Sequence, residues 1–367
     1  MNDYYVRYMK YGGLGLIGVL FILLQFIGCQ TTNDKIQSFN FQLPEKQKGM
    51  HVFGLRGAPD YTFLEEYNLN WITIVPWGYQ PDYNSPVVNH DRRGGASERK
   101  RRDSMWVDNI LNLKSQGYKV FLKPHIWIHE PSKNKWRSDI YPDNDEDWES
   151  WSSTYKEFII RYAKVAEEAG AEMYCVGMEL TRLSVEKPDY WRSLIADVRE
   201  VYNGKLTYAA NWYKEYDLVE FWDDLDYIGV QAYFPLTKKD SPSIEDVSKG
   251  WKKYIPELES LARNYQKPLL FTEIGYKSME GTAEKPWVWV EQTERNSSSY
   301  APELQAYCYE AFFKMLWHKE WFAGAHIWQL RGDYGRRRPF RENDLDFTPH
   351  KKPAKEVIAK WYSSSAE

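Results

Sequence analysis

From residue 49 onward the chain alternates short apolar runs with longer amphipathic stretches. Eight of these runs read as strands: Met50–Gly57, Trp71–Trp77, Tyr118–Ile128, Ala171–Leu180, Lys205–Trp212, Leu225–Phe234, Pro268–Tyr276 and Phe322–Leu330. They are near-continuously apolar rather than alternating, as strands covered on both faces should be. Helical spacing of three and four links Trp148, Trp151, Tyr155, Phe158, Ile159, Tyr162 and Ala166. It recurs over Trp191, Leu194, Ile195, Val198 and Tyr202, with Gly204 as the expected stop. A third helix is expected over Leu304, Cys308, Ala311, Phe312 and Met315, entered through Pro302.

Strands that alternate with helix-length connections predict the α/β class and a single (β/α)8 TIM barrel over residues 49–362. A doubly wound sheet is the rival. It is set aside because Gly54-Leu55-Arg56-Gly57, after the first strand, lacks the spacing of a phosphate-binding turn. The long connections 79–103, 129–144 and 331–351 each follow a strand, which in a barrel puts them on the face that carries chemistry.

The first residues do not fit this pattern. Arg7 and Lys10 precede an apolar run from Leu14 to Ile27, shorter than the ~20 residues that span a bilayer and the right size for a signal peptide. The run ends in Phe26-Ile27-Gly28-Cys29, which resembles a bacterial lipoprotein cleavage box. On that reading residues 1–28 are removed and Cys29 is lipidated. Polar residues 29–48 then form a tether to a bacterial membrane, facing periplasm or cell exterior. An ordinary secretory signal with a coincidental cysteine is the alternative. The remaining Cys175 and Cys308 do not make a disulfide framework.

Composition narrows the function. A balance of 48 basic against 52 acidic residues excludes a nucleic-acid binder that works through a global basic field. A mean hydropathy of −0.67 excludes a polytopic membrane protein. Phe, Trp and Tyr make up 17% of the chain, a load that demands burial or ligands and excludes disorder.

In a barrel the polar residues at the C-terminal ends of strands are the candidates for chemistry. Here these are Trp77, Lys123, His125, Glu179, Asn211, Trp212, Gln231, Tyr233, Glu273, Trp328 and Gln329. Glu179 ends the fourth expected strand and Glu273 the seventh. Two carboxylates facing each other across a barrel mouth are the equipment of glycoside hydrolysis, and a retaining enzyme sets them about 5–5.5 Å apart. Structural ion pairing is the bland reading of each glutamate taken alone. No metal or cofactor is called for: His125 and His129, four apart on a strand, stand ~13 Å from each other.

Glutamates at these two strand ends resemble those of the large clan of retaining (β/α)8 glycoside hydrolases. The segments LKPHIW, GMELTRL, AANW, DYIGVQAYFPL, FTEIGY and HIWQL resemble family 113 of that clan, typified by β-1,4-mannanases. So do Phe347-Thr348-Pro349 and Lys352-Pro353-Ala354 before the expected last helix. The resemblance implies that Glu179 is the acid/base and Glu273 the nucleophile. It further implies that Tyr233 hydrogen-bonds the nucleophile and that Trp328 floors the sugar at the cleavage point. Most clan members carry Asn immediately before the acid/base, where it binds the substrate 2-hydroxyl. Here that position is Met178, and Asn211 is the candidate substitute.

Trp77, Trp212 and Trp328 read as sugar platforms or as core. Lys123 and His125, alternating along one face, read as contacts to sugar hydroxyls. The run Arg99–Arg102, with Arg92 and Arg93 nearby, reads as a solvated or lipid-facing loop. A site for an acidic polysaccharide is the second reading, to which Arg336–Arg338 adds. The expectation is a lipid-anchored retaining glycoside hydrolase acting on a β-linked, mannan-type glycan. The alternatives are the same chemistry on a β-glucan or other hexose polymer, and a surface lipoprotein that captures glycans without cleaving them.

Overall fold

A computed structural model describes residues 38–43, 45–54, 62–90, 95–292, 300–331 and 344–364. Ten strands are present among these: β1 (Gln47–Phe53), β2 (Trp71–Ile74), β3 (Trp77–Gln80), β4 (Lys119–Leu122), β5 (His125–Ile128), β6 (Met173–Met178), β7 (Lys205–Asn211), β8 (Tyr227–Gln231), β9 (Leu269–Ile274) and β10 (Phe322–Arg331). Eight of them close into a parallel barrel in the order β1-β10-β9-β8-β7-β6-β4-β2. The expected (β/α)8 architecture is therefore the one observed.

Two expected strands are each broken in the middle. The runs Trp71–Trp77 and Tyr118–Ile128 divide at Pro76 and Pro124, which lack the N–H a ladder needs. Beyond the prolines the chains pair again as a parallel ribbon, β3 with β5, in which Trp77 stands opposite His125. The ribbon carries these side chains above the barrel mouth.

Helices Asp145–Ala169, Pro188–Arg199 and Pro302–Leu316 appear where periodicity put them. The first starts on Asn144, whose side chain accepts the Asp147 N–H, and stops on left-handed Gly170. The second ends at Arg199, so Gly204 is not its stop; the Gly204 carbonyl instead accepts from the Arg199 guanidinium. The expected tether is also shorter than residues 29–48. Phe39 and Phe41 pack on the core, the Asn40 N–H donates to Gln266 Oε1 at 2.9 Å, and Gln47 and Lys48 already belong to β1.

Most of the aromatic load is structural. Trp151, Trp191, Trp222, Trp251, Trp317 and Trp321 are fully buried. Phe271, for example, meets Trp251, Phe312 and Phe322 with ring centroids 4.9–5.8 Å apart. Inside the barrel the filling is partly polar. His326 bonds Thr73 and Gln47, and Gly49 makes room for it, since a Cβ there would lie 2.2 Å from His326 Nδ1.

Candidate active site

Glu179 follows the last residue of β6 and has a left-handed backbone, φ 50°. Its N–H donates to the Ala209 carbonyl on β7 at 3.0 Å. Its side chain is nearly buried, and Oε2 accepts from Arg137 Nε at 3.1 Å. Arg137 stands on a short turn after β5, where its Nη1 donates to the Ile126 carbonyl at 3.2 Å and its guanidinium covers Trp136.

Glu273 lies within β9, in register with Gln231 of β8. Its carboxylate is held from both sides. Oε2 accepts from Lys123 Nζ and Gln231 Nε2, each at 2.9 Å, and Oε1 accepts from the Tyr233 hydroxyl. Burial, and then the charge of Glu273, raise the Tyr233 phenol well above its ordinary value, so it remains a neutral donor. Burial and the neighbouring Lys123 ammonium lower His51 well below the usual imidazole range, leaving it neutral beside the pair.

Both glutamates open into one cleft of about 460 Å³. Asn211, Trp212, Tyr213 and Tyr233 line it from strand ends, Trp136, Arg137 and Ser138 from the loop after β5, and Trp287, Trp289 and Gln292 from the connection after β9. A desolvated carboxylate pair walled by indole rings suits a substrate with alternating apolar faces and hydroxyl edges, which is the surface of a sugar chain. One carboxylate can give and take a proton while the other attacks carbon.

The candidates read from the sequence divide into two layers. Glu179, Glu273, Asn211, Trp212 and Tyr233 line the cleft itself. Lys123 does not contact the cleft as expected: it is fully buried and its ammonium is occupied by Glu273, Gln231 and the Thr272 carbonyl. It therefore serves the carboxylate rather than sugar hydroxyls. His125 is buried, stacks on Trp328 at 6.3 Å and meets the edge of Trp77 at 5.1 Å. Trp328, joined to Gln329 by a cis peptide, packs with Tyr233 and Phe347 behind the cleft wall and meets Trp289 edge-on. Met178 fills the barrel interior with Phe121, Met173 and Leu270, while Asn211 Oδ1 accepts the Tyr213 N–H at 3.2 Å.

Sequence reading missed Arg137, Trp136, Trp287 and Trp289. The first two fall in a connection already assigned to the correct face. The Pro-Trp-Val-Trp stretch after the strand of Glu273 was the available signal for the others. The run Arg99–Arg102, expected in a loop, lies instead on the helix Ala96–Ser115, where Arg101 and Arg102 pair with Glu98 of the same helix. Cys29, Arg92, Arg93 and Arg336–Arg338 lie outside the described residues.

The Glycoside Hydrolase Family 113 model matches residues 56–362. A solved GH113 β-1,4-mannanase complex is 26% identical, with a TM-score of 0.72, and the match covers 88% of this chain and all of that one. The GH113 β-mannanase AaManA from Alicyclobacillus acidocaldarius, in complex with ManMIm, is 28% identical with a TM-score of 0.71, covering 89% and 99%. A β-glucuronidase from Ruminococcus gnavus, 13% identical with a TM-score of 0.57 over 87% of this chain and 52% of its own, shares the fold. No curated protein matches.

Proposed function

The chain belongs to glycoside hydrolase family 113, and we propose that it hydrolyses β-1,4-mannan-type chains with retention of configuration, Glu179 acting as acid/base and Glu273 as nucleophile. The observation that carries the assignment of roles is the difference between the two carboxylates. Glu273 is held by three donors, Lys123, Gln231 and Tyr233, in the manner of a group that must stay fixed in one orientation. Glu179 has one side-chain partner, Arg137, and faces the open cleft.

In the first step Glu273 attacks the anomeric carbon while Glu179 protonates the glycosidic oxygen, the bond to the leaving sugar breaks, and a glycosyl ester forms. Oε2 of Glu273 already accepts two bonds, so Oε1, which accepts only from Tyr233 on the cleft side, keeps a lone pair for that attack. In the second step Glu179, now a carboxylate, takes a proton from water as the water attacks the same carbon and frees Glu273. Asn211 is the proposed contact for the 2-hydroxyl, and the indoles of Trp136, Trp212, Trp287 and Trp289 are the proposed platforms for neighbouring rings.

The test is to incubate residues 30–367 with β-mannan, glucomannan, β-glucan and xylan oligosaccharides and to follow the first anomer formed by proton NMR. Release of β-configured mannosyl products, abolished in Glu273→Ala, supports the proposal. In Glu179→Ala, turnover of an aryl glycoside whose leaving group needs no proton should persist and rise with added azide. Cleavage only of glucan would change the sugar, and binding without cleavage would make the protein a capture module.

Attachment to a bacterial membrane through lipidated Cys29 is part of the same proposal and rests on the leader sequence. Mass spectrometry of the membrane-extracted chain tests it: an acylated N-terminal cysteine is expected, and Cys29→Ser should release the protein in soluble form.

A further inference from the structure

A third carboxylate lies beneath the segment that carries Glu179. Glu215, on the turn after β7, is fully buried and accepts four hydrogen bonds. Oε1 accepts from Tyr208 Oη at 2.5 Å and Ser184 Oγ at 2.7 Å. Oε2 accepts from Thr181 Oγ1 at 2.9 Å and the Asn211 N–H at 2.7 Å. The Tyr208 oxygen in turn accepts the N–H of Leu180, the residue directly after Glu179, at 2.9 Å. Glu215 thus gathers Leu180 (through Tyr208), Thr181 and Ser184 from one side and the cleft residue Asn211 from the other.

A buried carboxylate is expensive, and apolar residues would pack this volume at lower cost. What it supplies is fixed geometry. Glu179 is held at φ 50°, a conformation that a residue with a side chain keeps only when its surroundings impose it. One tie is the Glu179 N–H to Ala209; three more, from Leu180 through Tyr208 and from the Thr181 and Ser184 hydroxyls, converge on Glu215.

Resting on the assignment of Glu179 as proton donor, we infer that Glu215 is a positioning residue which locks the backbone after Glu179 and so aims its carboxyl at the glycosidic oxygen. It touches neither substrate nor the reacting atoms.

The test compares phenyl and 2,4-dinitrophenyl β-mannobiosides, since only the first leaving group needs a proton to depart. Glu215→Gln presents an amide where two donors point. It should lower kcat/KM on the phenyl substrate about tenfold or more, because ångström-scale misplacement has that effect. On the dinitrophenyl substrate the change should stay within about threefold. Thr181→Val combined with Ser184→Ala removes two tethers while leaving the Glu215 carboxylate in place, and should show the same split. Amide exchange should quicken over residues 179–184 in both variants and hold elsewhere, the turn from Asn211 to Glu215 aside.

Equal losses on the two substrates, or no loss on the phenyl substrate in a folded variant, would overturn the positioning role. If Glu215→Gln does not fold, the Thr181/Ser184 pair decides. A wild-type protein inactive on both substrates and on mannan would retire the hydrolase reading and the inference with it. A uniform loss in an active enzyme retires the inference alone.

Discussion

Lys123 Nζ lies 2.9 Å from Oε2 of Glu273; the lysine is fully buried and the glutamate is exposed only where it meets the cleft. Removing one member of a buried pair leaves an uncompensated charge and costs roughly 3–5 kcal/mol. Lys123→Met keeps the volume and deletes the charge. It should lower the melting temperature and reduce kcat/KM by about 10²-fold or more. The loss should be the same for good and poor leaving groups, because attack by Glu273 is common to both. Calorimetry and aryl-glycoside kinetics check it, and a variant with near-native rates would show that Gln231 and Tyr233 suffice.

Arg137 reaches two partners at once, Glu179 Oε2 through Nε and the Ile126 carbonyl through Nη1. A lysine ammonium cannot reproduce that fork. Arg137→Lys should therefore behave much like Arg137→Ala, each losing about tenfold in kcat/KM on phenyl glycosides. Full rescue by lysine would mean that charge alone is what Arg137 contributes.

Burial pushes the Glu215 carboxyl up from 4.5 to about 7, against four hydrogen bonds that pull it down. A carboxyl raised by folding contributes its stability at low pH and loses it as pH climbs through the folded value. Wild type should lose up to roughly 3 kcal/mol relative to Glu215→Gln between about pH 5 and about pH 8. Urea midpoints of both proteins at the two pH values measure this. A constant gap would show that the hydrogen bonds outweigh burial.

Trp287 is 40% exposed and leans on Trp212 with ring centroids 5.0 Å apart. If it supports a sugar ring away from the cleavage point, Trp287→Ala should raise KM for mannohexaose about fivefold, a loss of ~1 kcal/mol. The aryl mannobiosides should be nearly unaffected. An equal effect on both would place Trp287 at the reacting sugar.

The barrel was legible because its signal is local and repeated: buried parallel strands are apolar throughout, and the helices between them keep a spacing of three and four. Glu179 and Glu273 were legible for the same reason, each being a lone acid at the end of an apolar run. Pro76 and Pro124 were visible, yet the ribbon they create was not. A proline shows where a ladder must stop and is silent on where the chain pairs next.

By itself the sequence determined the order of elements and, through the parallel topology, the face on which every strand end must meet. Only the tertiary structure decided what each of those ends touches. It turned Lys123 inward to a carboxylate 150 residues away, brought Arg137 to Glu179 across 42 residues, and set Glu215 under the loop that Glu179 begins. Those contacts depend on side-chain direction and loop course, which long-range packing sets and no local periodicity records.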